Sequence, residues 1–144
     1  MKEINCAYCM KDENPSLYEK FGYRLKDLKT STVYVFREQS HLGRVIVAYN
    51  DHVGEITDLS EEEMHAFMDD VRKVALAIHK AFNPDKVNYG AYGDPMKHLH
   101  FHLVPKYKND PFEWGSTFAM DPNRKKLSDE ELKKIGDKLL PYLD

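Results

Sequence analysis

The chain has 144 residues, 42% of them apolar and 31% charged, enough for one domain that builds its core without disulfides. A net charge of −3 and a pI near 6.2 argue against nucleic acid as the main partner, but they allow a pocket with local positive potential. No apolar run approaches the ~20 residues that span a bilayer.

Met1-Lys2-Glu3-Ile4-Asn5-Cys6 lacks the apolar h-region of a secretory signal, so the cytoplasm is the expected compartment. There the only cysteines, Cys6 and Cys9, stay reduced. Two thiols at this spacing are half a metal site or a redox pair.

Thr32-Val33-Tyr34-Val35-Phe36 and Val45-Ile46-Val47-Ala48-Tyr49 are rich in β-branched and aromatic residues and read as strands. A turn over Gln39-Ser40-His41-Leu42-Gly43 makes them an antiparallel pair. Ser60-Glu61-Glu62-Glu63 is a capping box opening a helix. Met64, Phe67, Met68, Val71, Val74, Ala75, Ile78 and Phe82 recur at helical spacing, with Asp69, Arg72 and Lys73 opposite. This predicts about six turns ending near Asn83-Pro84, the apolar stripe packing on a sheet, with His65 and His79 solvated.

Lys86 to Gly90 reads as a further strand and Gly93-Asp94-Pro95 as a turn. His98 to Val104 alternates without a break, and Pro105 is expected to end it. Ser128-Asp129-Glu130-Glu131 is a second capping box, opening a C-terminal helix through Leu132, Ile135, Leu139 and Leu140, weakened by Gly136. The order of elements predicts an α+β fold with a mostly antiparallel sheet.

A strand repeats its side-chain direction every two residues, so His98, His100 and His102 share one face while Leu99, Phe101 and Leu103 share the other. The apolar side belongs on the core under the long helix. Two chemistries suit the three imidazoles. Metal ligation is one, although Leu103, Val104, Pro105, Lys106 and Tyr107 supply no carboxylate or further His. Nucleophilic catalysis at phosphorus is the other, since imidazole is largely neutral at pH 7 and phosphoramidates form and hydrolyse readily.

His98-Leu99-His100-Phe101-His102-Leu103-Val104-Pro105 resembles the signature of the histidine triad (HIT) family. Cys6-Ala7-Tyr8-Cys9 is similar to the Cys-x-x-Cys of its zinc-bearing members, and Gly43 to His52 resembles the family strand closed by Lys-x-His. Asp58-Leu59-Ser60 fits as well, and the match runs from about residue 6 to 118. The resemblance implies a HIT-like fold in residues 1–120, with 121–144 as a helical tail packed on it.

It further implies that His100 is the nucleophile at a nucleoside α-phosphate, flanked by His98 and His102. Structural zinc would be held by Cys6, Cys9, His52 and His98, a closed Cys₂His₂ set. Zinc is favoured over a thioredoxin-like pair because no βαβ unit precedes the cysteines. A nucleotide substrate and a homodimer are also implied.

Asn88 and Glu38 are candidate substrate contacts, matching a family Asn and a ribose-binding carboxylate at spacings that differ by one or two residues. Trp114 is a candidate for the pocket rim or the core. Two departures stand out. Gly93-Asp94-Pro95 replaces a hydroxyl-bearing Gly-Gln-Ser/Thr, adding negative charge where the leaving group lies. Arg44 stands where His is common, with no consequence expected. Two other readings are a nucleotide-binding module without useful catalysis and a metal-dependent hydrolase with its metal on the triad.

Overall fold

The computed structural model describes residues 2–119, 121 and 123–144. Five strands, β1 (Gly22–Asp27), β2 (Ser31–Phe36), β3 (Val45–Tyr49), β4 (Lys86–Gly90) and β5 (His100–Lys106), form one antiparallel sheet in the order β1-β2-β3-β5-β4. Among the described residues three α-helices join it: α1 (Ser16–Glu19), α2 (Glu61–Phe82) and α3 (Asp129–Leu139). The fold is α+β, as the order of elements predicts. Among the described residues no helix is long and apolar enough to cross a membrane.

Both capping boxes form. Ser60 accepts from the Glu63 amide and Ser128 from the Glu131 amide, each glutamate reaching back to its cap. Asn83 closes α2 in the left-handed region at φ 50°, a conformation Asn tolerates well. The α2 stripe of Phe67, Val71, Val74 and Ile78 packs on Val33, Val45, Val47, Leu99 and Leu103, with Phe101 against it. Burying each such side chain contributes about 1.5–3 kcal/mol. One sheet face is thereby sealed.

The tail helix joins the same core. Leu139 and Leu143 enter the α2 cluster, and Leu132 and Ile135 pack on Val35. At Gly136 α3 packs tightly on β1, since a Cβ there would lie 2.5 Å from Leu25 Cδ1. The absent side chain lets the helix dock, so this glycine does more than weaken it.

Two parts differ from expectation. Pro105 does not end β5, which continues through it to Lys106. β3 pairs with β5 only as far as Leu103, so at Pro105 one side of the strand has no ladder partner. A residue without an N–H is tolerated there. The edge strand β1 carries little strand signal because Arg24, Lys26 and Asp27 dilute its alternation; charges on this edge also discourage pairing with other chains.

Candidate active site and metal centre

The second sheet face carries the triad. Ile46 pairs with His102 and Ala48 with His100, so these side chains share a surface with Tyr34 and Phe36 of β2. The N-terminal segment covers part of it. Cys6, Tyr8 and Cys9 are buried against Tyr34, Phe36, Ile46 and Ala48. The Tyr8 ring lies 5.3 Å from that of His98 and 5.1 Å from that of His100. The three imidazoles are all buried as a result.

Each ring has a different partner, and the partners fix the protons. His98 Nε2 donates to the Tyr49 carbonyl at 2.5 Å, leaving Nδ1 as its lone-pair nitrogen. His100 Nδ1 donates to the His98 carbonyl at 2.6 Å, so Nε2 is unprotonated. His102 Nδ1 lies 3.2 Å from Arg44 Nη2, which can only donate. Burial keeps all three rings neutral. It lowers His98 to about 4, lowers His100 below its ordinary value, and, with the Arg44 charge adding to it, lowers His102 to about 3.

The lone-pair nitrogen of His98 meets three further donors. Cys6 Sγ is 3.4 Å away, Cys9 Sγ 3.5 Å and His52 Nδ1 3.3 Å, while Cys9 Sγ lies 3.2 Å from His52 Nδ1. All four ligand atoms lie within 4.8 Å of one another. Zn–S bonds of about 2.3 Å and Zn–N bonds of about 2.0–2.1 Å give tetrahedral S···N edges of roughly 3.5 Å and N···N edges of roughly 3.3 Å. The spacing fits a metal of that size, and the thiols are not joined as a disulfide. The Tyr49 carbonyl, accepting from Nε2, orients the His98 ring so that Nδ1 faces the other three donors, as an outer-shell acceptor would for a metal-bound His.

His100 and His102 line a cavity of about 290 Å³, walled by Tyr8, Phe21, Phe36, Ile46 and Met96 and closed by Gly93-Asp94-Pro95. That is near the lower end of small-ligand sites, ~300–1,000 Å³. Gly93 holds φ 113°, and a Cβ there would meet the Met96 carbonyl oxygen at 2.3 Å, so the tight loop requires glycine. Tyr92 also borders a second cavity of about 720 Å³ lined by Lys86, Asn88, Lys106, Trp114 and Phe118.

Not every candidate reaches the triad pocket. Glu38 does not line it; its carboxylate accepts from the Ser40 amide at 2.5 Å and hydroxyl at 2.7 Å, capping its own turn. Asn88 and Trp114 border the larger neighbouring cavity instead. A metal on the triad itself is also disfavoured, because the three rings address different partners. Among the described residues the one candidate metal cluster is Cys6, Cys9, His52 and His98.

Arg44, a departure expected to have no consequence, contacts the triad directly. It is 2% exposed, an unusual burial for a guanidinium at the head of a β-strand.

The HIT domain family model matches residues 28–109, more than half of the chain, and the chain belongs to that family. It is 24% identical over 139 residues to adenosine 5'-monophosphoramidase hnt1 of Schizosaccharomyces pombe, covering 94% of this chain and 96% of that protein. An uncharacterised HIT-like protein of Saccharolobus solfataricus is 31% identical over 74 residues, 48% of this chain and 53% of that one. The asymmetrical bis(5'-nucleosyl)-tetraphosphatase of Schizosaccharomyces pombe is 30% identical over 87 residues, 57% of this chain and 48% of that one. The chain thus spans about half the length of these last two relatives.

Among solved structures, a histidine triad protein of Sinorhizobium meliloti superposes with a TM-score of 0.79 at 19% identity, over 89% of this chain and 94% of that one. A zinc-bound histidine triad family protein of Mycobacterium smegmatis gives 0.59 at 19%, over 82% and 84%. Both share the fold.

Proposed function

We propose that the protein is a nucleotide hydrolase that cleaves at a nucleoside α-phosphate, in a dinucleoside polyphosphate or a nucleoside phosphoramidate, through a nucleotidyl-His100 intermediate. The observation that carries this reading is the 2.6 Å hydrogen bond from His100 Nδ1 to the His98 carbonyl, which leaves Nε2 with its lone pair on a ring lining the cavity. Nε2 forms the bond to phosphorus. The bond to the leaving group breaks with its electron pair, and the leaving group takes a proton from the site or solvent.

The positive charge that develops on the His100 ring is stabilised by the carbonyl already bonded to Nδ1. Water then attacks phosphorus, the N–P bond breaks, and neutral His100 is restored. His102 lines the same cavity and contacts the phosphoryl oxygens, while the aromatic and aliphatic wall receives the base. The names of two relatives, a monophosphoramidase and a tetraphosphatase, support both classes of leaving group. Asn88, in the adjoining cavity, contacts the part of the substrate beyond the scissile bond.

The test is rapid quenching with an α-³²P-labelled substrate. Label should appear on His100 as an acid-labile adduct within the first turnover and be absent in His100→Ala, which should fold normally and lose turnover. Wild-type turnover by His100→Ala sinks the mechanism. Tight binding of nucleotide with no adduct and no turnover would favour a binding module.

Zn²⁺ held by Cys6, Cys9, His52 and His98 is part of the same proposal, supported by the donor spacing and by the zinc-bound relative. With four protein ligands it would supply a structural cross-link between the N-terminal segment and the triad strand, leaving no open position for catalysis. Residues 1–120 are taken as the catalytic unit and 121–144 as its tail. A homodimer is proposed through β4, the edge strand opposite β1, on or beside which Tyr89, Tyr92 and Trp114 are exposed. Light scattering that reads a monomer at working concentration would reject it. The site is proposed to work in the cytoplasm.

A further inference from the structure

We infer that Arg44 is a positioning residue for the triad: it fixes His102 as an Nε2–H donor, and residues 111–119, just past the span 28–109 of the family model, hold it in place. The inference rests on the hydrolase reading for its catalytic consequence, but not for its structural content.

The geometry leaves His102 little choice. Arg44 Nη2 lies 3.2 Å from His102 Nδ1, and a guanidinium has donors only, so Nδ1 must accept and the ring proton must sit on Nε2. His100 carries its proton on the opposite nitrogen, Nδ1. Two adjacent rings, 5.5 Å apart between centroids, therefore present a lone pair on one and a donor on the other. A phosphoryl group needs that pairing, because one nitrogen attacks phosphorus while a neighbouring N–H holds a non-bridging oxygen.

Arg44 is itself held tightly. Its Nη1 donates to the Ala119 carbonyl at 2.9 Å. Its guanidinium lies 4.3 Å from the Phe36 ring centroid and 5.1 Å from that of Phe118. Its carbonyl accepts from the Phe36 amide at 3.1 Å and from Gln39 Nε2 at 2.9 Å. Burial lowers it to about 10, against the attraction of the Glu38 and Glu113 carboxylates, so it remains a cation at neutral pH. The site thus keeps a fixed positive charge behind His102.

Ala119 and Phe118 belong to a segment that folds back over the sheet. Buried Lys106 clamps it, donating to the Glu113 carbonyl at 2.6 Å and the Ser116 carbonyl at 2.8 Å. The Glu113 carboxylate accepts from the Ala119 amide at 2.9 Å and pairs with His41 Nε2 at 2.6 Å. Gly90 makes room for Phe118, whose Cζ would lie 2.6 Å from a Cβ there. A lysine in place of Arg44 has no planar fork with which to serve Ala119 and His102 while lying between two aromatic rings.

The decisive measurement is the tautomer of His102, read by long-range ¹H–¹⁵N correlation on the ¹⁵N-labelled protein without substrate. The wild type should show the neutral Nε2–H form. Arg44→Met should shift it to Nδ1–H or to a mixture, and kcat should fall about 10- to 100-fold with KM changed far less. Arg44→Lys should keep a donor and recover part of both.

A wild-type His102 in the Nδ1–H form overturns the proposal outright, whether or not the variants fold. So does an Nε2–H form that persists in folded Arg44→Met, or an unchanged kcat in that variant. The tautomer readout needs no turnover. A wild-type protein that hydrolyses no nucleotide would therefore reject the hydrolase reading while leaving the Arg44–His102 assignment standing.

Discussion

His52 Nδ1 lies 3.3 Å from His98 Nδ1, although 46 residues separate them in the chain. Two ring nitrogens that both present lone pairs cannot hydrogen-bond to each other. His98 must carry its proton on Nε2 to serve Tyr49, so its Nδ1 offers only a lone pair. With His52 also presenting a lone pair from Nδ1, the approach is the one that the cation proposed above, held between the rings and completed by Cys6 and Cys9, would produce. The purified protein should therefore contain one zinc per chain by elemental analysis. Cys6→Ser/Cys9→Ser should lose it and melt at a markedly lower temperature, because metal binding to a folded-state site adds directly to stability. Full metal retention in the double variant would refute the assignment.

Asp70 of α2 is buried and takes three hydrogen bonds from the end of the β1–β2 turn and the start of β2: Thr30 N at 2.9 Å, Thr30 Oγ1 at 2.7 Å and Ser31 Oγ at 2.7 Å. Removing the carboxylate leaves those donors without their acceptor. Asp70→Ala should cost about 2–3 kcal/mol of stability. Denaturant unfolding checks this, and a loss below about 0.5 kcal/mol, the range of ordinary surface changes, would mean the contact is dispensable.

Leu139 of the tail helix is fully buried within the α2 cluster. Leu139→Ala should destabilise the whole protein by about 2–5 kcal/mol. It should lower a single cooperative transition if the tail is integral to the domain. A separate early transition for the tail, with the remainder unchanged, would show a dispensable appendage.

His102 gives acid sensitivity of a definite sign. Burial and the Arg44 charge lower it to about 3 in the folded state, against 6.5 when unfolded. Between those values the unfolded chain binds more protons than the folded one, so stability falls as pH drops from about 6.5 towards 3. His102→Gln removes this contribution. The melting temperature of the variant should therefore fall less steeply than that of the wild type between about pH 6 and pH 4. Parallel curves would show that His102 does not titrate as its burial demands.

Much of this was legible in the chain because it is local. A capping box lies within four residues and a helical stripe within a few turns, so Ser60, Ser128 and the Phe67–Val71–Val74–Ile78 series announce α2 and α3 without help from distant contacts. The alternation in His98 to Val104 likewise puts imidazoles and hydrophobes on opposite faces, whatever the sheet does. Charged β1 and α1 were illegible, since both exist through what they pack against. Glu38 reads as a candidate ribose contact, and only the structure shows its carboxylate accepting from the Ser40 amide and hydroxyl, because that depends on one side-chain direction.

The sequence by itself determined that His100 and His102 share a wall opposite the helix-facing core, because strand periodicity needs only neighbouring residues; His98, expected on the same strand, lies in the bend before β5 and does not line that pocket. Which nitrogen of each ring carries the proton was decided by tertiary structure alone. Those protons are fixed by the Tyr49 carbonyl, the His98 carbonyl placed by the bend before β5, and Arg44. Tyr49 and Arg44 are separated from their histidines by 49 and 58 residues, and the chain must close before any such contact exists.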